Sequence, residues 1–157
     1  MEAALRTAAF LLEGKELEEL DFHQVRGLEG VKEASLEIAG REVRVAVAHW
    51  MSNIEMVLDR LRKSRVGMGE PYYHFIEVMA CRGGCVGGGG QPYGATDEIR
   101  VARAKGLYRD DLKSEYRVSH KNPQIKALYD SFLGKPLGKL AHKHLHTSYR
   151  SRKTYGV

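Results

Sequence analysis

Apolar positions change their period along this chain, and each change marks an element. Near the start, Leu5, Ala8, Ala9 and Leu12 recur at helical spacing and Gly14 stands where a helix stops, which predicts a short amphipathic helix over Met1 to Glu13 without a capping residue at its N-terminus. From Val31 the period falls to two. Ala34, Leu36 and Ile38 alternate with Glu33, Ser35 and Glu37, and Val43, Val45 and Val47 repeat the pattern beyond Ala39-Gly40, as in a β-hairpin. Ser52 and Glu55 have the spacing of a capping box, with Ile54, Val57, Leu58 and Leu61 as the buried face of the helix that follows. Arg65 to Pro71 reads as a loop, and Tyr73 to Met79 as a mostly apolar strand that delivers the chain to Cys81.

Beyond Pro92 the signals are helical. Thr96 and Asp97 open a helix through Ile99, Ala102, Ala104 and Leu107, weakened in its last turn by Gly106. Asn122-Pro123 opens another, because a proline at the first helical position has no N–H to leave unpaired; Ile125, Leu128, Tyr129 and Phe132 then share a face until Gly134. Leu137 to Leu145 can form a last helix. The order of elements predicts an α/β fold with a helical C-terminal third.

The length of 157 residues fits one domain with a sizeable core, so folding does not depend on disulfides. The net charge of +5 is unevenly spread: no acidic residue follows Asp130, whereas Lys135, Lys139, Lys143, Arg150, Arg152 and Lys153 do. Such a tail suits an acidic partner face or nucleic acid. Without interleaved aromatics or a recognition helix, nucleic acid is the weaker reading. No apolar run approaches the ~20 residues of a membrane span, which predicts a soluble, cytoplasmic chain.

Both cysteines, Cys81 and Cys85, fall in one glycine-rich segment, Glu77-Val-Met-Ala-Cys-Arg-Gly-Gly-Cys-Val-Gly-Gly-Gly-Gly-Gln-Pro92. A strand, a sharp glycine turn and a helix place reactive groups at the mouth of an open α/β sheet. Glycines there permit positive φ and let backbone N–H groups approach an anionic cluster closely. With Gly83 and Gly84 between them, the two thiols are expected to face one cavity. Spacing leaves three readings open: iron–sulfur or other metal ligation, two buried unligated cysteines beside a structural loop, and redox disulfide chemistry. A cubane normally takes four cysteines, so a cluster here needs ligands from elsewhere. A zinc site would recruit His142, His144 and His146, of which only His142 and His146 can share a helix face. A phosphate-loop reading fails because Gln91-Pro92 stands where Gly-Lys-Ser/Thr is required, and no third cysteine completes a radical-enzyme cluster motif.

The same segment closely resembles the third cysteine signature of the catalytic domain of [FeFe]-hydrogenases, Glu-x-Met-Ala-Cys-x-x-Gly-Cys-x-x-Gly-Gly-Gly-x-Pro. The resemblance extends to Met1-Glu-Ala-Ala-Leu-Arg6, Val25-Arg-Gly-Leu28, Val31-Lys-Glu-Ala34 and Ser52-Asn53. It continues through Arg117-x-Ser119-His120-x-Asn122, Tyr129 and Leu145-His146-Thr147-x-Tyr149, which are similar to the small-subunit region fused behind that domain.

The resemblance implies one lobe of a two-lobed domain, a small mixed sheet flanked by helices over residues 1–95, then a helical small-subunit-like region over 96–157 whose helices wrap a companion lobe. It implies that Cys81 ligates a [4Fe–4S] cluster, that Cys85 ligates it and bridges to a binuclear iron subcluster carrying CO, cyanide and a dithiolate, and that Met79 lies against the binuclear unit. Gly84, Gly88, Gly89 and Gln91 would line the cofactor. The implied activity is reversible reduction of protons to H2. A second polypeptide would supply the other cluster cysteines and the route to a ferredoxin or similar electron carrier. The first two signatures of the family are absent and its members run Gly-Gly-Val into the equivalent of Met1, so the chain is expected to be a split subunit or a fragment, inactive alone. Arg82 stands where proline is frequent, and Trp50 where glycine is common. Two alternatives stand beside this reading: a non-enzymatic hydrogenase-like protein of cytosolic iron–sulfur assembly, and an isolated domain with empty thiols.

Overall fold

The computed structural model describes residues 1–18, 20–65 and 72–152. They form two compact units, Met1–Arg117 and a second from Val118 onward. The first unit is α/β. Its sheet has the order β1-β2-β3, with β1 (Val31–Ile38) antiparallel to β2 (Arg41–His49) and β2 parallel to β3 (Phe75–Met79), so the sheet is small and mixed.

The hairpin follows the expected alternation. Ala39 and Gly40 both adopt positive φ, 53° and 71°, which gives a two-residue turn whose twist matches the strands it joins. Even positions of β1 point inward. Lys32 is therefore buried in phase with Ala34 and Ile38, while Glu33, Ser35 and Glu37 are exposed.

As the central strand, β2 is buried on both faces from Val45 to His49. Val45 and Val47 pack on one side with Leu5, Phe22, Val25 and Ala34; Ala46 and Ala48 pack on the other with Ile54, Val57 and Tyr73. Helix α1 (Glu2–Glu13) covers the first face and α2 (Met51–Arg65) the second. Each buried aliphatic side chain contributes about 1.5–3 kcal/mol, so these two small cores carry the sheet.

Several expectations are corrected. Helix α2 begins at Met51, which leaves Ser52 inside the helix instead of capping it. Of its expected buried face only Ile54 and Val57 are covered, and Leu58 is exposed. In α1 the buried residues are Leu5, Arg6 and Ala9, with Leu12 exposed. Helix α3 (Asp97–Lys113) runs on for two turns beyond Gly106 and buries none of its residues. Thr96 does cap it, accepting the Ile99 N–H at 3.4 Å. The loop expected over Arg65 to Pro71 lies outside the described residues apart from Arg65, which closes α2.

The second unit holds α4 (Pro123–Leu128), a π-helical turn at Tyr129–Leu133 and α5 (Lys139–Leu145). Asn122 caps α4 by accepting the Gln124 N–H at 2.9 Å, with Pro123 at the first helical position. Ile125, Leu128 and Phe132, which share the expected face, are exposed, while Leu133 and Ala141 are buried. So short a run of helices has little surface of its own to bury against. No described helix is long and apolar enough to cross a membrane.

Candidate functional site

Strand β3 sets its carboxyl end beside that of β2, with Met79 opposite His49. The Met79 carbonyl accepts the Trp50 N–H at 3.0 Å, which ties the start of α2 to the strand end. Beyond it the chain folds back twice. Gly84 N–H donates to the Cys81 carbonyl (2.9 Å), a 3-10 turn covers Gly84–Gly87, and Gly88 N–H donates to the Cys85 carbonyl (3.2 Å). Gly88 in turn accepts from the Gln91 N–H at 3.0 Å.

The glycines of this segment differ in what they are needed for. Gly83 and Gly84 are left-handed, with φ of 77° and 70°, and a Cβ on Gly84 would meet the Met79 sulfur at 2.6 Å. At Gly87 a Cβ would strike the Arg82 carbonyl at 2.2 Å. At Gly88 it would make ordinary contact with Cys85, and at Gly89 and Gly90 it would meet nothing within 4 Å. Neither backbone strain nor packing within the described chain calls for glycine at positions 89 and 90.

Cys85 lines a cleft of about 330 Å³ together with Met79, Gly83, Val86, Lys32 and Glu77. Cys81 is exposed and lies outside that wall, as do Gly88, Gly89 and Gln91. The cleft thus receives one thiol, not the two expected from the spacing. The consecutive left-handed glycines turn the chain between the cysteines, and both side chains are exposed, which removes the buried-thiol reading. Both thiols are free of disulfide. In the second unit the His142 and His146 rings lie 4.4 Å apart, as one helix face requires, but no group of three metal ligands forms around them among the described residues.

Three polar residues that the sequence reading passed over frame the site. His49 is 2% exposed, and its Nδ1 accepts the Gly83 N–H at 3.2 Å. Burial, then the neighbouring Lys32 and Arg82 cations, lower its pKa and favour the neutral ring. Lys32 is buried in the cleft wall with its ammonium on the Gly27 carbonyl at 2.9 Å; burial lowers its pKa while Glu77 and Glu29 oppose that shift. Arg6 is 3% exposed and bonds Asp111 at 2.8 Å and Glu2 at 3.0 Å. Arg26 and Arg117 complete the cluster on Glu2, Asp21 and Asp111. These carboxylates converge closely, but three guanidinium groups already balance their charge. The only sequence signal for the cluster was the i,i+4 pair Glu2 and Arg6 on an apolar helix face.

Helix α3 reaches the turn through charge. Arg103 donates to the Val86 carbonyl at 3.0 Å and Arg82 forks onto Asp97. Arg82, then Arg100, holds the Asp97 carboxyl down at about 2. The donor set suits a thiolate-held cluster: two unpaired cysteines on a glycine turn at a strand end, one facing a cleft beside a thioether.

Residues 1–89 match the family model described as iron only hydrogenase large subunit, C-terminal domain, and residues 97–152 match iron hydrogenase small subunit. The chain is 46% identical over 98% of its length to an NADP-reducing hydrogenase subunit of Solidesulfovibrio fructosivorans, of which it spans 25%. It is 30% identical over 92% of its length to a cytosolic Fe-S cluster assembly factor of Danio rerio, spanning 34% of that protein. Among solved structures, an apo [FeFe]-hydrogenase variant from Chlamydomonas reinhardtii superposes with a TM-score of 0.73 at 37% identity, over 95% of this chain and 43% of that one.

Proposed function

The chain belongs to the iron-only hydrogenase family, and from that premise we propose that it supplies one wall and two thiolate ligands of an H-cluster for the reversible reduction of protons to H2. The observation that carries the proposal is Cys85 on the cleft beside Met79, at the end of a glycine turn that a side chain at Gly84 would break. Cys81 and Cys85 would hold a [4Fe–4S] cluster, with Cys85 shared with a binuclear iron subcluster. When bound, the cluster supplies the exchange 2H⁺ + 2e⁻ ⇌ H2.

The chain's own part is to bind and to shield. Met79 and Val86 present apolar surface on the cleft that Cys85 lines, which would help keep water from a bound cluster. Lys32 brings a buried cation to the cleft, which favours an anionic thiolate-ligated guest. Gly88, Gly89 and Gln91 offer an open backbone rim where glycine leaves room for a group from outside this chain. Two thiolates are half of what a cubane takes, so a second polypeptide, or a further part of the same protein, supplies the rest and the path to a ferredoxin-like electron carrier. Proton delivery is assigned there too. We place the activity in the cytoplasm, with no role for membrane or nucleic acid, and divide the chain into a lobe over 1–95 and a small-subunit-like region over 96–157.

The family also includes assembly factors, and these are the second reading. The higher identity to the hydrogenase subunit and the presence of Met79 with the full Gly-Gly-Gly-Gln91-Pro92 run favour the enzyme. Anaerobic co-expression with a polypeptide bearing the missing cysteines, followed by iron analysis and infrared spectroscopy, tests both. Carbonyl and cyanide bands with H2 evolution support the hydrogenase; iron without those bands supports the assembly reading; an iron-free complex removes both.

A further inference from the structure

Resting on that cluster reading, we infer that His49 is a positioning residue for the cysteine turn, acting through a bond from the Gly83 N–H to its Nδ1. The ring is 2% exposed at the carboxyl end of the central strand. Its own backbone is fixed from both sides: the His49 N–H donates to the Gly30 carbonyl at 2.9 Å, and the His49 carbonyl accepts from Asn53 Nδ2 at 2.9 Å. Gly30 is held to glycine by that arrangement, since a Cβ there would meet Asn53 Nδ2 at 2.1 Å. The imidazole therefore projects from a backbone anchored to the sheet, and the Gly83 amide attaches the turn to it.

The hydrogen-bond direction fixes the tautomer. A ring nitrogen that accepts an N–H carries its lone pair, so the ring proton resides on Nε2. That Nε2 is buried. At Nδ1 the acceptor aligns Gly83 between the two cysteines. With Gly83 N–H engaged by His49, the left-handed pair Gly83-Gly84 keeps its geometry and Cys85 keeps its place on the cleft wall.

The test separates this role from the cluster reading. In the iron-free full chain, ¹⁵N NMR is expected to show an unprotonated Nδ1 on His49 and a scalar coupling from it to the Gly83 amide nitrogen. A protonated Nδ1, or no coupling, overturns the inference whatever the chain binds. In the co-expressed complex, His49→Leu is expected to lower iron affinity about tenfold or more, as for partners that orient metal ligands, with displaced g values for the reduced cubane. His49→Asn, which retains an acceptor near the Nδ1 position, is expected to restore both. Leu loading iron as the unmodified chain does, or Asn failing as Leu does, overturns the inference. Should the unmodified chain take up no iron, the cluster reading falls; faster amide exchange from Cys81 to Gly88 in the iron-free Leu variant then supports the role of His49, and unchanged exchange overturns it.

Discussion

The Arg82 guanidinium lies 5.3 Å from the centre of the Trp50 ring. The two side chains, 32 positions apart in sequence, meet in space beside the cysteine turn. Trp50 holds φ at 74°, a conformation suited to glycine, and presents its ring to the Arg82 guanidinium. A double-mutant cycle of Trp50→Gly and Arg82→Pro is expected to give a coupling of about 0.5–1 kcal/mol in urea unfolding. Strictly additive effects would show that the contact between ring and guanidinium contributes nothing to stability.

Gly84 and Gly89 are expected to separate local geometry from room for a guest. Gly84→Ala forces a left-handed alanine against the Met79 sulfur and is expected to destabilise the isolated chain by about 1–2 kcal/mol. Gly89→Ala meets nothing in the described chain and leaves that stability unchanged, while iron uptake in the assembled complex falls. Equal iron uptake by the Gly89 variant would count against a guest at that rim.

Thiol accessibility gives a chemical test. Both cysteines are exposed and free, so a small alkylating reagent is expected to label Cys81 and Cys85 in the chain alone. After anaerobic assembly both are expected to be protected, and mass spectrometry reads each site. Continued labelling of Cys81 alone would mean that it is not a ligand.

Arg6 holds the ion cluster from a position 3% exposed, on bonds to Glu2, Asp111 and the carbonyls of Leu20 and Arg117. Arg6→Ala is expected to cost about 3 kcal/mol, since it strips a buried cation from three convergent carboxylates. A loss below about 1 kcal/mol would show that Arg26 and Arg117 suffice.

Acid should weaken the fold in a defined window. Arg6, then Arg117, holds Asp111 at about 2, and Arg82, then Arg100, does the same for Asp97, both from an ordinary 3.8. A carboxyl whose folded pKa is depressed contributes stability above its unfolded value and loses it as pH falls through the folded one. The urea midpoint is therefore expected to fall between about pH 4 and pH 2, with a shallower fall in Asp111→Asn. A slope unaltered by that substitution would place the acid sensitivity elsewhere.

The sequence by itself determined the hairpin, the helix over Glu2–Glu13, the strand into the cysteine turn and the family, because these depend on short-range period and on a contiguous run of residues. Alternation of two places side chains on opposite faces whatever surrounds them, and a glycine turn between cysteines is legible as a string. Which faces are covered was decided only in three dimensions. Ala46 and Ala48 are buried because β2 is central, which the alternation of Val43, Val45 and Val47 does not convey, while Ile99, Leu107, Ile125 and Phe132 keep helical spacing and stay exposed.

The framing of the site was likewise tertiary. His49, Lys32 and Arg6 stand far from the cysteines in sequence and reach their roles through sheet register and long-range ion pairs, which leave no periodic trace. Even the separation of Cys85, on the cleft, from Cys81, outside it, depends on two left-handed glycines whose direction no spacing rule conveys. A chain's local preferences are written residue by residue, whereas burial and charge pairing are properties of what the fold brings alongside.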